Sequence, residues 1–425
     1  GSNYLFTNAV TGTRTLANGD PWPVDTSTFN RTGTGNILYR TMETVVLNAG
    51  AGDDTIDVQG THREQDVSGG KASSLAINAG PGADTVQLGE PLTGGGRSLD
   101  NFAIDVTPTS DSVKGIPVMI NGQDGLDAVH FFDDATTLQT NLAFTQNSFA
   151  ELFPASEPTD SDGIDDDSFN LYQSIFGEDP TGSYASVVLT HTDPDSDEEV
   201  PTALNVNART SEEIRATLGS GDDVIQLTSD QYPYDITVYA GAGQDTFNVE
   251  NAVDLLGNQA VFNGQDDDDL FFADFEEGVP STNLDITFNG GSQGTEGDKF
   301  RIAGDGQTSG GTYTPSAVLA RAGDLELAGN QFAFTGVEPV VVHGLPDFSV
   351  VTPDDPADLA VETIAVEDLQ LTNLSLQLVT IDGVVSWTQE AKLIIDDALE
   401  PKYLGSGVTL NESGAPVVQS NAMAM

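Results

Sequence analysis

The chain has 425 residues and no cysteine, so neither a disulfide nor a thiolate metal site can hold its fold together. Lysine and arginine number 14 in total against 67 aspartates and glutamates, which gives a formal net charge of −53. So acidic a surface repels nucleic-acid phosphates and anionic lipid headgroups, and it favours cations as partners. No apolar run approaches the roughly 18 residues that a membrane helix needs. We therefore expect neither nucleic-acid binding nor membrane insertion.

Signals of catalysis are also scarce. The four histidines are scattered, and none stands beside a nucleophile motif or a second metal ligand. Carboxylates are so numerous that no pair stands out as the acid and nucleophile of a glycosidase. We expect the chain not to be an enzyme. The enzymatic alternative is a polysaccharide lyase on a β-helix, for which Arg97, Arg209 and Arg215 are the basic residues to consider.

Glycine, at 45 residues, and alternating apolar residues are abundant. One pattern recurs seven times, each time as a short alternating strand, a glycine-aspartate turn and a second alternating strand. The copies span 45–58, 75–88, 118–132, 214–227, 236–249, 260–272 and 286–302. The recurring strand–turn–strand pattern predicts an all-β protein whose repeats form elongated blocks of the β-solenoid or β-helix kind.

The repeats themselves are duplicated. The sequence from Arg40 aligns without gaps with the sequence from Arg209, and the Asn-Gly-Gln-Asp of 121–124 recurs at 263–266. The predicted organisation is a first β-repeat block over 1–134, an acidic insertion with connecting strands over 135–208, a second β-repeat block over 209–344, a smaller C-terminal β domain over 345–402, and a tail over 403–425.

The turn pattern is Gly-x-x-Gly-x-Asp-x-apolar, with Ala allowed at the first position as in residues 49–56, and it indicates a specific chemistry. The glycines permit positive φ and turn carbonyl oxygens toward a common point, where the aspartate adds a carboxylate. Calcium takes roughly six to eight oxygen ligands of these kinds. If the repeats stack about 4.8 Å apart, the aspartate turns form one column along one edge. The alternative is a plain β-turn in which aspartate bonds its own backbone.

The pattern resembles the hemolysin-type (RTX) calcium-binding repeats, in the dispersed form seen in giant bacterial secreted and surface proteins. Family arrays are tandem, whereas here the turns are separated by longer segments. The resemblance implies calcium as the bound metal. It places the metal-binding role on Gly50, Gly52, Asp54, Gly80, Gly82, Asp84, Gly122, Gly125, Asp127, Gly219, Gly221, Asp223, Gly241, Gly243, Asp245, Gly264, Asp269 and Asp298.

These features together predict a non-catalytic, calcium-stabilised structural segment of a large extracellular or cell-surface protein, such as a filament, a surface layer or an adhesin stalk. The alternative is a calcium-dependent adhesin or carbohydrate-binding module. The expected partners are calcium ions, with copies of the chain, neighbouring surface proteins and glycans as further candidates.

Overall fold

The computed structural model describes residues 1–15, 21–32, 36–39, 44–60, 74–99, 116–148, 183–193, 198–208, 210–228, 231–280, 283–295, 297–308, 311–316, 318–319, 321–345, 348–351, 359–365, 375–381, 384–388, 392–394, 409–410 and 416–419. These residues form strands and turns, and none of them is helical. A membrane-spanning helix is accordingly absent from them. The predicted all-β class is confirmed for this part of the chain.

The chain divides into two compact units, Gly1–Gly241 and Ala242–Met425. They are called unit 1 and unit 2. The boundary falls inside the second block, 209–344, that the sequence predicts.

Unit 1 contains seventeen strands, of which the last reaches the unit boundary. They are β1 (Asn3–Thr15), β2 (Pro21–Arg31), β3 (Ile37–Tyr39), β4 (Thr44–Asn48), β5 (Thr55–Val58), β6 (Ser74–Asn78), β7 (Thr85–Leu88), β8 (Glu90–Pro91), β9 (Arg97–Ser98), β10 (Ile116–Asn121), β11 (Ala128–Phe132), β12 (Gln139–Ser148), β13 (Ser183–Asp193), β14 (Glu198–Asn207), β15 (Glu213–Thr217), β16 (Val224–Leu227) and β17 (Asp235–Ala242).

Most of these strands belong to two sheets, which the chain visits in turn. The first sheet has the order β4, β6, β10, β14, β13, β12, β16. The second sheet has the order β3, β2, β1, β5, β7, β11, β15, β17. Strands that begin or end at a motif turn pair in parallel, because the chain crosses to the other sheet before it returns to the same one.

The core of unit 1 is largely aliphatic. In the second sheet Ile56, Val86, Val129 and Ile214 lie in register on successive strands, each at most 2% exposed. Their neighbours along each strand are more exposed, so one face of the sheet is buried and the other is partly open to solvent. The alternation seen in the sequence is therefore the alternation of the two faces.

The predicted acidic insertion, 135–208, contains three long strands. β12 pairs antiparallel with β13, and β13 pairs antiparallel with β14, all within the first sheet. The acidic stretch of 154–169 lies outside the described residues. The described part of the predicted insertion with connecting strands is thus a three-stranded antiparallel extension of the first sheet.

Unit 2 contains the remaining sixteen strands. They are β18 (Thr246–Glu250), β19 (Ala260–Asp266), β20 (Leu270–Asp274), β21 (Asp285–Ser292), β22 (Asp298–Ala303), β23 (Gly311–Pro315), β24 (Gly323–Leu327), β25 (Asn330–Thr335), β26 (Val337–His343), β27 (Phe348–Val351), β28 (Leu359–Ala365), β29 (Ser375–Ile381), β30 (Val384–Thr388), β31 (Lys392–Ile394), β32 (Thr409–Leu410) and β33 (Pro416–Gln419).

Two sheets also run through unit 2. One has the order β18, β20, β22, β26, β30, β29, β28. The other has the order β19, β21, β25, β24, β23, β27, β31, β33, β32. The sequence predicts a separate β domain over 345–402, whereas the described strands of that range extend these two sheets.

Unit 2 has an aromatic core. The Phe271 ring stacks on Phe300 with 4.7 Å between ring centroids, and Phe300 stacks on Phe334 at 4.9 Å. Phe247 and Phe262 lie 5.2 Å apart in the same core. These rings come from strands of both sheets, so they join the two sheets through their buried faces.

Candidate metal centre

The predicted turns lie where the chain crosses between sheets. Residues 49–54 join β4 to β5, and residues 79–84 join β6 to β7. Gly50 and Gly52 have φ angles of 108° and 102°, which residues with a side chain rarely adopt. Gly50 and Gly52 therefore adopt the positive φ that the sequence predicts for this turn.

Glycine is also required because successive turns approach each other closely. A Cβ atom at Gly80 would lie 1.7 Å from the carbonyl oxygen of Gly50, and one at Gly125 would lie 1.5 Å from that of Gly82. Backbone at this distance leaves no room for any side chain. This role of glycine is steric and holds with or without a bound metal.

In unit 1 three motif aspartates form a ladder across successive turns. The Asp54 N–H donates to Oδ1 of Asp84 at 2.6 Å, and the Asp84 N–H donates to Oδ1 of Asp127 at 2.8 Å. The Asp127 N–H continues the series to Oε2 of Glu212 at 2.6 Å. All three aspartates are buried. We call Asp54, Asp84 and Asp127 the aspartate ladder.

Unit 2 repeats this arrangement. The Asp245 N–H donates to Oδ1 of Asp269 at 2.9 Å, and the Asp269 N–H donates to Oδ1 of Asp298 at 2.9 Å. These three aspartates are also buried, at 1% exposure or less. In both units the motif carboxylate therefore bonds the backbone of the neighbouring turn rather than that of its own.

Asp223 does not lie with the aspartate ladder. Its turn leads from β15 in the second sheet to β16 in the first, whereas the ladder turns lead from the first sheet to the second. Because paired strands are parallel, these two kinds of crossing occur at opposite edges of the sheets, that is, at opposite ends of the strands. Asp223 there accepts a hydrogen bond from the Thr140 N–H at 2.6 Å. The expectation of a single column along one edge is wrong for unit 1.

Four predicted turn glycines do not have the expected positive φ: Gly122, Gly219, Gly221 and Gly264. Positive φ falls not on Gly122 and Gly264 but on the residues after them, Gln123 at 73° and Gln265 at 84°. A Cβ at Gly122 would instead lie 2.1 Å from Oδ2 of Asp127, and the equivalent distance from Gly264 to Oδ2 of Asp269 is 1.8 Å. Gly122 and Gly264 make room for the carboxylate of their own turn.

The second carboxylate oxygen is the unusual feature of these turns. In five motif aspartates Oδ2 is buried and has no hydrogen-bond partner among the described residues: Asp54, Asp84, Asp127, Asp269 and Asp298. A buried ionised oxygen without a partner is costly, so such a group binds a cation or takes up a proton. The two outcomes are chemically distinguishable.

Burial raises the pKa values of Asp84, Asp127, Asp269 and Asp298. Loss of hydration is the largest cause, and it brings the pKa of Asp127 and of Asp298 to about 6. For Asp269, and for Asp223 at the other edge, burial brings the pKa to about 8. The backbone hydrogen bond that each accepts acts in the opposite direction and only partly offsets burial. Near neutral pH a proton and a cation therefore compete for these carboxylates.

The donor atoms at these turns are all oxygens. Among the described residues, no group of three or more histidine, aspartate or glutamate side chains could hold a metal by itself. Carbonyl oxygens of the turns would have to complete a site, and some of them already accept a bond, such as Pro81 from the Gly52 N–H at 2.7 Å. A carbonyl oxygen has a second lone pair for a cation. One buried carboxylate oxygen with backbone carbonyls is a hard donor set that suits calcium rather than zinc.

Sequence reasoning missed the residues that continue the ladder without belonging to the motif. Glu212 closes the aspartate ladder, and Ser2 begins it, since the Ser2 N–H donates to Oδ1 of Asp54. A signal for Glu212 was present, because the gapless alignment of the two blocks pairs it with Glu43. No comparable signal marks Ser2.

A second ladder, of amide side chains, was also missed. Asn48, Asn78 and Asn121 end β4, β6 and β10, and we call them the asparagine ladder. Asn121 donates from Nδ2 to Oδ1 of Asn78 at 2.9 Å, and Asn78 donates to Oδ1 of Asn48 at 3.0 Å. The recurrence of asparagine directly before the turn was its signal. These amides tie the same strands together beside the carboxylates.

A buried contact between His191 and Asp133, at the edge of unit 1 where Asp223 lies, involves no residue of the repeat pattern. Nε2 of His191 lies 2.5 Å from Oδ2 of Asp133, and both side chains are fully buried. The Leu99 N–H donates to the other Asp133 oxygen at 3.0 Å. Asp133 thereby holds β13 against the turn that follows β11.

No protein-family model and no curated protein sequence matches this chain.

Proposed function

We propose that this chain is a non-catalytic structural segment of an extracellular or cell-surface protein, a β-solenoid whose neighbouring turns are joined by calcium. The observation that carries the proposal is the buried Oδ2 atom left without a partner in five motif aspartates. Repeated placement of one such oxygen at one turn after another favours a cation that bridges turns. The net charge of −53 supports it, because a compact chain with that charge needs counterions.

In this proposal Asp54, Asp84 and Asp127 hold calcium in unit 1, and Asp269 and Asp298 hold it in unit 2, with carbonyl oxygens of the glycine turns as the other ligands. Oδ1 of each aspartate keeps its backbone bond to the neighbouring turn. Calcium supplies charge compensation for Oδ2 when bound. Because binding requires the folded turns, its free energy adds to the stability of the fold.

A structural role follows from this chemistry. A segment whose turns are tied together in calcium and loosened without it is ordered outside cells, where calcium is plentiful. Such a segment suits a filament, a surface layer or an adhesin stalk, where length and stiffness are needed rather than a catalytic pocket.

The test compares two asparagine substitutions in one turn. Asp127→Asn removes the ladder carboxylate, and Asp124→Asn removes an exposed carboxylate three residues earlier. At calcium about ten times the Kd, we expect each intact site to add about 1.4 kcal/mol of stability. Thermal unfolding at about pH 8, in calcium and in chelator, should therefore show a full calcium response for Asp124→Asn and a reduced one for Asp127→Asn.

The triple variant Asp54→Asn, Asp84→Asn, Asp127→Asn extends the comparison and should lose the calcium response of unit 1. In chelator it should be at least as stable as the parent chain, because a neutral amide replaces each buried charge. An equal calcium response in the parent, the triple variant and Asp124→Asn would show that calcium acts only as a diffuse counterion, and the proposal would be abandoned.

A further inference from the structure

The two sheets of unit 1 extend to different lengths at the end that contains β4. The first sheet ends at β4, whose partner among the described residues is β6. The second sheet continues past β5 with β1, β2 and β3. β1 lies beside β5 in parallel, yet no described strand occupies the corresponding position beside β4.

The backbone of β4 has its hydrogen-bonding groups arranged for another strand. The Ala49 N–H donates to the carbonyl oxygen of Asn78 at 2.9 Å, so Ala49 and Leu47 face β6. Because successive residues of a strand point their backbone groups to opposite sides, Val46 and Asn48 face the other edge. That edge offers a donor and an acceptor from each residue.

The asparagine ladder runs toward the same edge and ends there. Asn48 accepts from Asn78 through Oδ1 at 3.0 Å, while its own Nδ2 has no acceptor in the described part of the chain. In the ladder each Nδ2 donates to the Oδ1 of the next strand. The Nδ2 of Asn48 can therefore donate to an oxygen at the equivalent position of a further parallel strand.

Apolar side chains are exposed around this edge. Val46 on β4 is 45% exposed, and Ile37 and Leu38 on β3 are 57% and 68% exposed. Only residues 40–43 separate β3 from β4, so the three side chains belong to the same end of unit 1. An open edge strand flanked by exposed apolar residues is a site for adding a strand.

We propose that the free edge of β4 binds a parallel β-strand with the repeat's own pattern, supplied by another β-repeat segment. That strand alternates apolar residues and carries an oxygen-bearing side chain opposite Asn48. The contact continues the parallel pairing and the amide ladder already present between β4, β6 and β10. The contact requires no metal, so this proposal can be tested independently of the calcium proposal.

The experiment uses the full chain and a labelled synthetic peptide of residues 44–54, which has this pattern. Binding is measured by fluorescence anisotropy in calcium and in chelator, and hydrogen exchange reports on the backbone amides of Val46 and Asn48. We expect saturable binding in both conditions and slower exchange at these two amides. Unlabelled full chain should compete with the peptide.

Two variants test the edge itself. Val46→Pro removes the outward N–H without touching the bonds to β6, and Asn48→Asp keeps the acceptor for Asn78 but removes the free donor. Each should bind the peptide about tenfold more weakly or worse, with an unchanged circular dichroism spectrum. The proposal would be overturned if the parent chain showed no saturable binding, if both variants bound the peptide as tightly as the parent chain, or if protection were confined to other strands.

Discussion

Asp84 shows how one side chain in this protein meets two different demands. Oδ1 accepts the Asp54 N–H at 2.6 Å, and Oδ2 is buried with no hydrogen-bond partner in the part of the chain that the structure describes. The first contact needs only an acceptor, and asparagine would meet it. The second is unfavourable for a charged oxygen unless something neutralises it. The choice of aspartate over asparagine at this position is thus explained by Oδ2 and not by the ladder.

Glycine substitutions separate backbone strain from steric exclusion in these turns. Gly50 and Gly80 occupy the same motif position with similar φ angles, 108° and 99°. A Cβ at Gly80 meets the Gly50 carbonyl oxygen at 1.7 Å, while a Cβ at Gly50 meets nothing within 4 Å. We expect Gly50→Ala to cost about 1 kcal/mol from strain and Gly80→Ala to cost at least about 3 kcal/mol.

Urea unfolding of the two variants provides the measurement. Gly94→Ala serves as a control, because its φ is not in the positive range and its Cβ would also meet open space. Equal losses for Gly50→Ala and Gly80→Ala would mean that successive turns lie farther apart than described here.

At the scale of strands, the aromatic core of unit 2 can be tested with two neighbouring residues. Phe271 is fully buried and contacts four other phenylalanine rings, including Phe300 at 4.7 Å. Phe272 lies on the opposite face of β20, where its ring sits 4.6 Å from the Arg301 guanidinium carbon. Phe271→Ala should destabilise by about 3 to 5 kcal/mol, and Phe272→Ala by about 1 kcal/mol.

Chemical denaturation monitored by circular dichroism distinguishes the two faces. Comparable losses for both variants, or a larger loss for Phe272→Ala, would contradict the assignment of the buried face. The result does not depend on calcium if both measurements are made in chelator.

Strand positions were predictable from sequence because burial alternates with a period of two. Ile56, Val86 and Val129 each lie in such a pattern, and the structure pairs these residues in register in the second sheet. The edge at which a turn lies was not predictable. The same pattern fits a turn from the first sheet to the second and a turn in the reverse direction. The edge at which Asp223 lies depends on how often the chain crosses between the sheets after Asp127. Connecting strands were predicted within 135–208, but their bounds and their antiparallel pairing were not, because acidic segments flank them.

For the candidate site, the positions of the turns were predictable from the sequence, but the contacts between distant residues were not. Aspartate and glycine at fixed spacing identified the turns, since both residue types are needed there for separate physical reasons. The contacts that extend the ladder to Glu212 and Ser2 join residues far apart in sequence, and neither residue matches the pattern. Gly122 was assigned a turn conformation because it precedes Asp127 at nearly the right spacing, whereas it lies against the carboxylate.

For the whole molecule, the raised carboxyl pKa values predict an unusual dependence of stability on pH. Unfolded aspartate has a pKa of about 3.9, so groups raised to about 6 or 8 hold protons more tightly when folded. Their contribution is fully present below about pH 4 and is lost as pH rises through about 6 and then about 8. In chelator, stability should therefore fall between about pH 4 and about pH 8.

Thermal unfolding across this range, in chelator and in calcium, measures the effect. Calcium should flatten the decline, because it replaces the proton at Oδ2 as the pH rises. Asp127→Asn should have a shallower decline than Asp124→Asn, which keeps the ladder intact. A stability that rises steadily over this range in chelator would show that the buried carboxyls stay ionised without a cation.

The crossing of the motif from one edge to the other in unit 1 bears on how such a chain can grow. Val45 and Ile214 correspond in the duplicated sequence, yet one lies in the first sheet and the other in the second. The same cassette of residues is accepted on either side of the core. A copy that is offset by half a repeat still forms parallel strands within unit 1, so duplication of half a repeat is compatible with this fold.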